Sequence, residues 1–263
     1  DGEVMILDEI ANKTIIRVEE AKKRISLDEM KAKAKAMNSD TGYPFYKALQ
    51  KEGISFICEV KKASPSKGII AKDFPYIDIA KSYEEGGASA ISVLTEPYYF
   101  LGSDEYLKEI KKNVSIPVLR KDFTVDEYQI YEAKVIGADA VLLICSLLDK
   151  ERLNKYLEIC KELGLSALVE AHTEEEIDKA VSLGAQIIGV NNRNLKDFTV
   201  DFDNCKRLKS MIPQDVIYVA ESGVSSVEDV RSLKEANVDA VLMGEFLMRS
   251  TDRVKTLTEL RQI

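Results

Sequence analysis

Glu59 and Lys61 stand two positions apart where an apolar run, residues 54–57, comes to its end. The run reads as a buried strand, and alternation along a strand puts Glu59 and Lys61 on one side and Val60 and Lys62 on the other. A carboxylate and an ammonium sharing one face at the end of a core strand are costly unless they pair or do chemistry. The plain alternative is a strand that surfaces and turns polar. The stretch that follows, Ser64-Pro65-Ser66-Lys67-Gly68, cannot continue a strand and offers hydroxyls and amides able to wrap an anion.

Short β-branched runs alternate with longer helical patterns along the chain. The pattern predicts strands over residues 54–60, 90–94, 118–121, 140–145, 167–170, 187–191, 217–221 and 240–244. Leu153, Tyr156, Leu157, Cys160 and Leu163 recur at helical spacing, as do Ile177, Ala180 and Val181. Gly86-Gly87-Ala88, Gly137-Ala138-Asp139 and Gly184-Ala185 each close a helix before a strand, where glycine suits the left-handed cap. Val238-Asp239 takes the same place before the last strand. Eight βα units in about 210 residues point to an α/β fold, the (β/α)8 TIM barrel, rather than a doubly wound sheet. No G-x-G-x-x-G follows a strand, and no G-x-x-x-x-G-K-[ST] phosphate loop is present. Residues 1–50 read as a helical extension and 51–263 as the barrel, in one domain without a Pro/Gly/Ser-rich linker. Ile6, Ile10, Val18, Ala21 and Ile25 give the extension an apolar stripe, placed to cover the barrel or flank its mouth, while Lys31 to Lys35 read as a solvated face.

Barrel enzymes do their chemistry at the C-terminal ends of the strands. Those ends carry Glu59 and Lys61, the loop Thr95 to Phe100, Lys121, Glu170, Asn191 to Arg193, Glu221 to Gly223, and Gly244 with Glu245. Two lysines and three glutamates at one mouth would perturb one another's pKa values and suit general acid–base work; a structural ion-pair network is the rival reading. Gly223 and Gly244, just after the seventh and eighth strands, are placed to let amides approach a phosphate, with Ser64 and Lys67 closing over it. Tyr98, Tyr99 and Phe100 either pack the loop or face a planar aromatic substrate, and the residues alone leave both open. His172 reads as structural.

Composition narrows the field. A net charge of −8 and no basic run argue against a nucleic-acid partner. The four cysteines, Cys58, Cys145, Cys160 and Cys205, form no C-x-x-C pair and read as small buried hydrophobes. With a single histidine, a zinc or haem site is not expected. No apolar run approaches the ~20 residues of a membrane span, and the chain reads as cytoplasmic. Met5 is the expected natural start, with residues 1–4 a remnant.

The motifs resemble those of the indole-3-glycerol phosphate synthase family of tryptophan biosynthesis. The stretches are Glu59-Val60-Lys61-Lys62-Ala63-Ser64-Pro65-Ser66-Lys67-Gly68, Leu94-Thr95-Glu96 with Tyr99-Phe100, Arg120-Lys121-Asp122-Phe123, Leu168-Val169-Glu170, Gly189 to Leu195, Val219 to Gly223, and Leu242 to Glu245. They span the barrel in order, and the first is the most specific. The resemblance implies a ring closure on 1-(2-carboxyphenylamino)-1-deoxyribulose 5-phosphate, with loss of carbon dioxide and then water, and no metal or organic cofactor. It implies Lys121 as general acid, Lys61 as partner of the substrate carboxylate and acid in dehydration, Glu170 as stabiliser of positive charge and proton shuttle, and Glu59 as base. It implies that Asn191 and Ser222 hold the hydroxyl or ring amine, that Glu221 orients the lysines, and that Arg193 binds substrate. Phe100, Phe123 and Leu142 would pack the aromatic part; Ser64, Gly223, Gly244 and the amide of Glu245 would bind phosphate, with the Glu245 carboxylate turned away. The expected partner is a phosphorylated aromatic small molecule, and the expected state a monomer or weak homo-oligomer. Phosphoribosylanthranilate isomerase takes a similar substrate, and Cys58 near the first strand fits it. But Cys58 faces away from Glu59, and Asn191 stands where that family would carry an acid. A non-catalytic barrel is the reading from another class, opposed by both lysines and both key glutamates.

Overall fold

Alternation along each strand sorts the chain into two apolar layers. On β1 (Ser55–Val60), Phe56, Cys58 and Val60 join the cluster beneath the helices, while Ile57 joins a second cluster inside the barrel. The remaining strands are β2 (Ala90–Leu94), β3 (Val118–Lys121), β4 (Ala140–Ile144), β5 (Ser166–Ala171), β6 (Ile187–Asn191), β7 (Ile217–Glu221) and β8 (Ala240–Met243). Each pairs in parallel with its neighbours, and β1 pairs with both β2 and β8, which closes the barrel. The computed structural model describes residues 6–193 and 197–263. The expected start at Met5 and the motif residues Asn194 and Leu195 lie outside the described residues.

Helices α1 (Ile6–Arg24), α2 (Leu27–Lys35) and α3 (Pro44–Leu49) precede β1. Helices α4 (Tyr76–Glu85), α5 (Asp104–Asn113), α6 (Glu127–Ile136), α7 (Lys150–Leu163), α8 (Glu174–Ser182), α9 (Asp203–Leu208) and α10 (Val227–Glu235) alternate with the strands. A single turn, α11 (Glu245–Met248), and α12 (Arg253–Leu260) follow β8. Among the described residues, no helix is long and apolar enough to cross a membrane.

The predicted strands match within a residue or so. The fourth ends at Ile144 rather than 145, because Cys145 opens a 3-10 turn whose thiol is buried against the start of α8. The aspartates noted before strands four and eight have a defined task. Asp139 accepts the backbone N–H of Val118 (2.8 Å) and pairs with Lys111, while Asp239 accepts the N–H of Tyr218 (2.8 Å). Each ties the start of one strand to the start of its neighbour. Helix α3 sends Phe45 and Leu49 into the inner cluster among residues that begin the strands, such as Ala90, Ala140 and Ala240, and so plugs the N-terminal end of the barrel. All four cysteines are buried and free.

Candidate active site

Above the inner apolar layer, the inward positions turn polar. Two residues beyond Ile57, Leu119, Leu168 and Val219 on their strands come Glu59, Lys121, Glu170 and Glu221. They border a cavity of about 690 Å³ at the C-terminal ends of the strands. Lys61, Asn191, Arg193, Ser222, Gly223, Gly244, Glu245, Ser64, Phe100 and Phe123 border it as well. Leu142 does not. It lies opposite Leu168, one inward layer beneath the Ile144–Glu170 pair, and so belongs to the inner core on which Phe123 rests.

Glu59 is the hub. Its Oε2 accepts from Lys121 Nζ at 3.1 Å and from the Ser92 hydroxyl at 2.8 Å, and its Oε1 lies 3.7 Å from Lys61 Nζ. Burial pushes its carboxyl up, but Lys121, Lys61 and Ser92 together outweigh burial and keep it below the ordinary carboxylate value. Burial works against the Lys121 ammonium, yet Glu59, Glu221 and Glu170 carry its pKa above that of an ordinary lysine. Lys61 goes the other way. Its desolvation exceeds the help from Glu59, and its ammonium is weakened. Burial first, and the neighbouring Glu170 second, push Glu221 well above the carboxylate range. Both Glu221 oxygens are buried without a hydrogen-bond partner among the described residues, which adds to the cost of its charge. One mouth thus holds two carboxyls biased in opposite directions and two lysines of opposite bias, the separation that acid–base chemistry needs.

Small residues make this crowding possible. A Cβ on Gly189 would stand 2.9 Å from Cδ of Glu221, and one on Gly244 would stand 3.0 Å from Nζ of Lys61. Ser222 sits at φ 56°, an unfavourable conformation for a serine, and its hydroxyl bonds to Oδ1 of Asn191. The Glu245 carboxylate is engaged by Arg249 Nε at 3.0 Å, while the start of α11 stays at the cavity edge.

The aromatic loop divides. Glu96, buried, accepts the backbone N–H groups of Tyr98, Tyr99 and Phe100, and so curls the loop. Phe100 then faces the cavity beside Phe123, ring centroids 6.0 Å apart. Tyr98 and Tyr99 turn to α1, where Lys13 stands over both rings. The backbone of His172 caps, its N–H donating to Glu176 and its carbonyl accepting from Asn204.

Ile6 and Ile10, from the α1 stripe expected to cover the barrel or flank its mouth, supply an apolar wall; Leu7 beside them, and Arg249 and Val200 at the rim, were not anticipated. Ser92 fixes Glu59 from a fully buried position, and a hydroxyl at an inward position of an apolar strand was its signal.

Residues 7–260 match the family model described as Indole-3-glycerol phosphate synthase. Curated relatives with that name are 56% identical over 257 residues in Ruminiclostridium cellulolyticum, covering 98% of this chain and 99% of that protein. The similarity to the relative from Endomicrobium trichonymphae is 55% over 257 residues, covering 98% of this chain and all of that one (100%). In fold alone, the chain is similar to 3-hexulose-6-phosphate synthase from Salmonella typhimurium, with a TM-score of 0.64 at 15% identity, covering 80% of this chain and 97% of that one. With the match running from α1 to α12, the chain belongs to the indole-3-glycerol phosphate synthase family.

Proposed function

We propose that this enzyme closes the pyrrole ring of 1-(2-carboxyphenylamino)-1-deoxyribulose 5-phosphate, releasing carbon dioxide and water and giving indole-3-glycerol phosphate. The observation that carries the reading is the Lys121–Glu59 contact of 3.1 Å at the base of a cavity walled by Phe100 and Phe123. In the first step, the ring carbon bearing the carboxylate attacks the ribulose carbonyl carbon while Lys121 gives a proton to the carbonyl oxygen. A lysine with a raised pKa is a weak acid in the resting site, but it is fully charged, and the oxyanion forming beside it is a far stronger base. Lys61 pairs with the substrate carboxylate until carbon dioxide leaves and the ring regains aromaticity. Glu170 faces the cationic intermediate and shuttles protons. Dehydration then expels the new hydroxyl as water, with Lys61 as acid and Glu59 taking the remaining proton. The weakened ammonium of Lys61 makes it a better proton donor than an ordinary lysine. Asn191 and Ser222 hold the hydroxyl or ring amine, Arg193 binds the substrate, the amides at Gly223, Gly244 and Glu245 hold the phosphate with Ser64, and Glu221 orients the lysines.

The whole chain acts as one domain, in the cytoplasm, as a monomer or weak homo-oligomer. The direct test mixes protein and substrate in a metal-free buffer and follows indole fluorescence. Product is expected, and its absence would reject the reading. Lys121→Met is expected to lower turnover by ~10²-fold or more while the protein stays folded. Near-normal turnover in that variant would remove Lys121 from the proton-donor role.

A further inference from the structure

Helix α1 meets the barrel mouth through charged residues at four-residue spacing. Glu9 accepts from the Tyr99 hydroxyl, Lys13 stands 5.0 Å from the Tyr99 ring centre, and Arg17 forks onto Asp122. The first two contacts are exposed. The third joins a half-buried Arg17 to a buried Asp122, and its geometry is specific: Arg17 Nη2 donates to Oδ1 at 2.6 Å and Nη1 donates to Oδ2 at 2.9 Å.

Asp122 lies between Lys121 and Phe123, both of which border the cavity. Its oxygens are fully used. Oδ1 also accepts the backbone N–H of Phe123 at 2.7 Å, and Oδ2 also accepts the Thr95 hydroxyl at 2.6 Å. Thr95 in turn accepts from Arg120 Nε at 3.2 Å, and Arg120 is itself buried and paired with Asp104 and Glu132. One carboxylate therefore joins α1, the end of β2 and the end of β3, next to the residue read as the proton donor.

Docking a helix does not need such a joint. Burying an ion pair is a poor source of stability compared with apolar contact, and α1 already buries Ile10, Ala11, Val18 and Ala21. What a bidentate fork adds is direction, since it fixes both the distance and the plane of the carboxylate. We infer that Arg17 is a positioning residue for the reaction. It sets the backbone turn through Asp122 so that Lys121 and Phe123 project into the cavity at fixed places, and it makes the seating of α1 a condition for a competent site. The inference rests on the proposed role of Lys121.

The test compares wild type, Arg17→Met, Arg17→Lys and Lys121→Met in steady-state kinetics, with circular dichroism and thermal melts on each. Arg17→Met is expected to remain folded and to lose kcat by about 10- to 100-fold, the scale of a misplaced catalytic group. Its KM should stay within about threefold of wild type, because the lost interaction acts on the chemical step rather than on ground-state binding. Arg17→Lys keeps the charge but not the fork, and is expected to recover part of kcat. A folded Arg17→Met with wild-type kcat would overturn the inference, as would a loss carried by KM alone, which would make α1 only a binding wall. If Arg17→Met does not fold, Arg17→Lys decides: reduced kcat at unchanged KM supports positioning, and wild-type kcat rejects it. Lys121→Met separates the two readings. If it is inactive while the Arg17 variants are normal, only the positioning role falls; if it is active, the proton-donor role falls and takes this inference with it.

Discussion

Burial, with Glu170 beside it, raises the Glu221 carboxyl well above the value it has as an ordinary glutamate in the unfolded chain. The folded state therefore binds the proton more tightly than the unfolded one. Stability from this group is fully present below the unfolded pKa and is lost as pH rises toward the folded one. Glu221→Gln keeps the shape and removes the titration. The variant is expected to gain stability relative to wild type as pH moves from acid to neutral, measured as the difference in urea midpoint at each pH. A difference that does not change with pH would mean that Glu221 titrates in the fold as it does in the unfolded chain. Glu59 has the opposite sign, because its lowered carboxyl contributes stability above its unfolded pKa and loses it on acidification. Both glutamates could be placed at the mouth from alternation alone. Their opposite biases could not, because they depend on which charges converge from other strands: two lysines on Glu59, and another carboxylate beside Glu221.

At the scale of elements, the strands and their helices were legible because β-branched runs, helical periodicity and glycine caps agree locally. The role of Asp139 was not, because it accepts an N–H from a residue on the preceding strand. Asp139→Ala removes that acceptor and frees Lys111, so it is expected to cost about 1–3 kcal/mol, the range for leaving a buried donor unpaired. Equilibrium urea unfolding measures it, and a loss under about 0.5 kcal/mol would mean that water replaces the carboxylate. The aromatic loop teaches the same lesson. Three adjacent aromatic residues were ambiguous in the sequence, and a single carboxylate, Glu96, decides that Phe100 faces the cavity while Tyr98 and Tyr99 face α1. The apolar stripe of α1 was visible too, but an amphipathic pattern states that a face is buried and not what covers it. Leu142 shows what register adds: opposite Leu168, it lies one step below the Ile144–Glu170 pair, in the inner core against which Phe123 packs.

Across the whole molecule, the two ends of the barrel do different work. The C-terminal end carries the charged groups, with Lys61, Arg193 and Arg249 bordering the cavity of a chain whose net charge is −8. The N-terminal end is closed by α3, whose Phe45 is 0% exposed in the inner cluster with Leu49 and Ile57. Phe45→Ala would open a void beneath the strands and is expected to cost about 3–5 kcal/mol, because packed neighbours relax only partly into such a space. The groups proposed to act in catalysis sit at the other end, separated from this plug by the inner layer of Leu119, Leu168 and Val219. The expected pattern is therefore a clear fall in Tm with turnover within about twofold of wild type at temperatures where the variant is folded, since conservation of the top face does not depend on filling the bottom one. Thermal melts and initial rates on the same preparation give both quantities. If turnover falls in step with stability, the inner layer transmits the void to Glu59 and Lys121, and the barrel ends are coupled rather than independent.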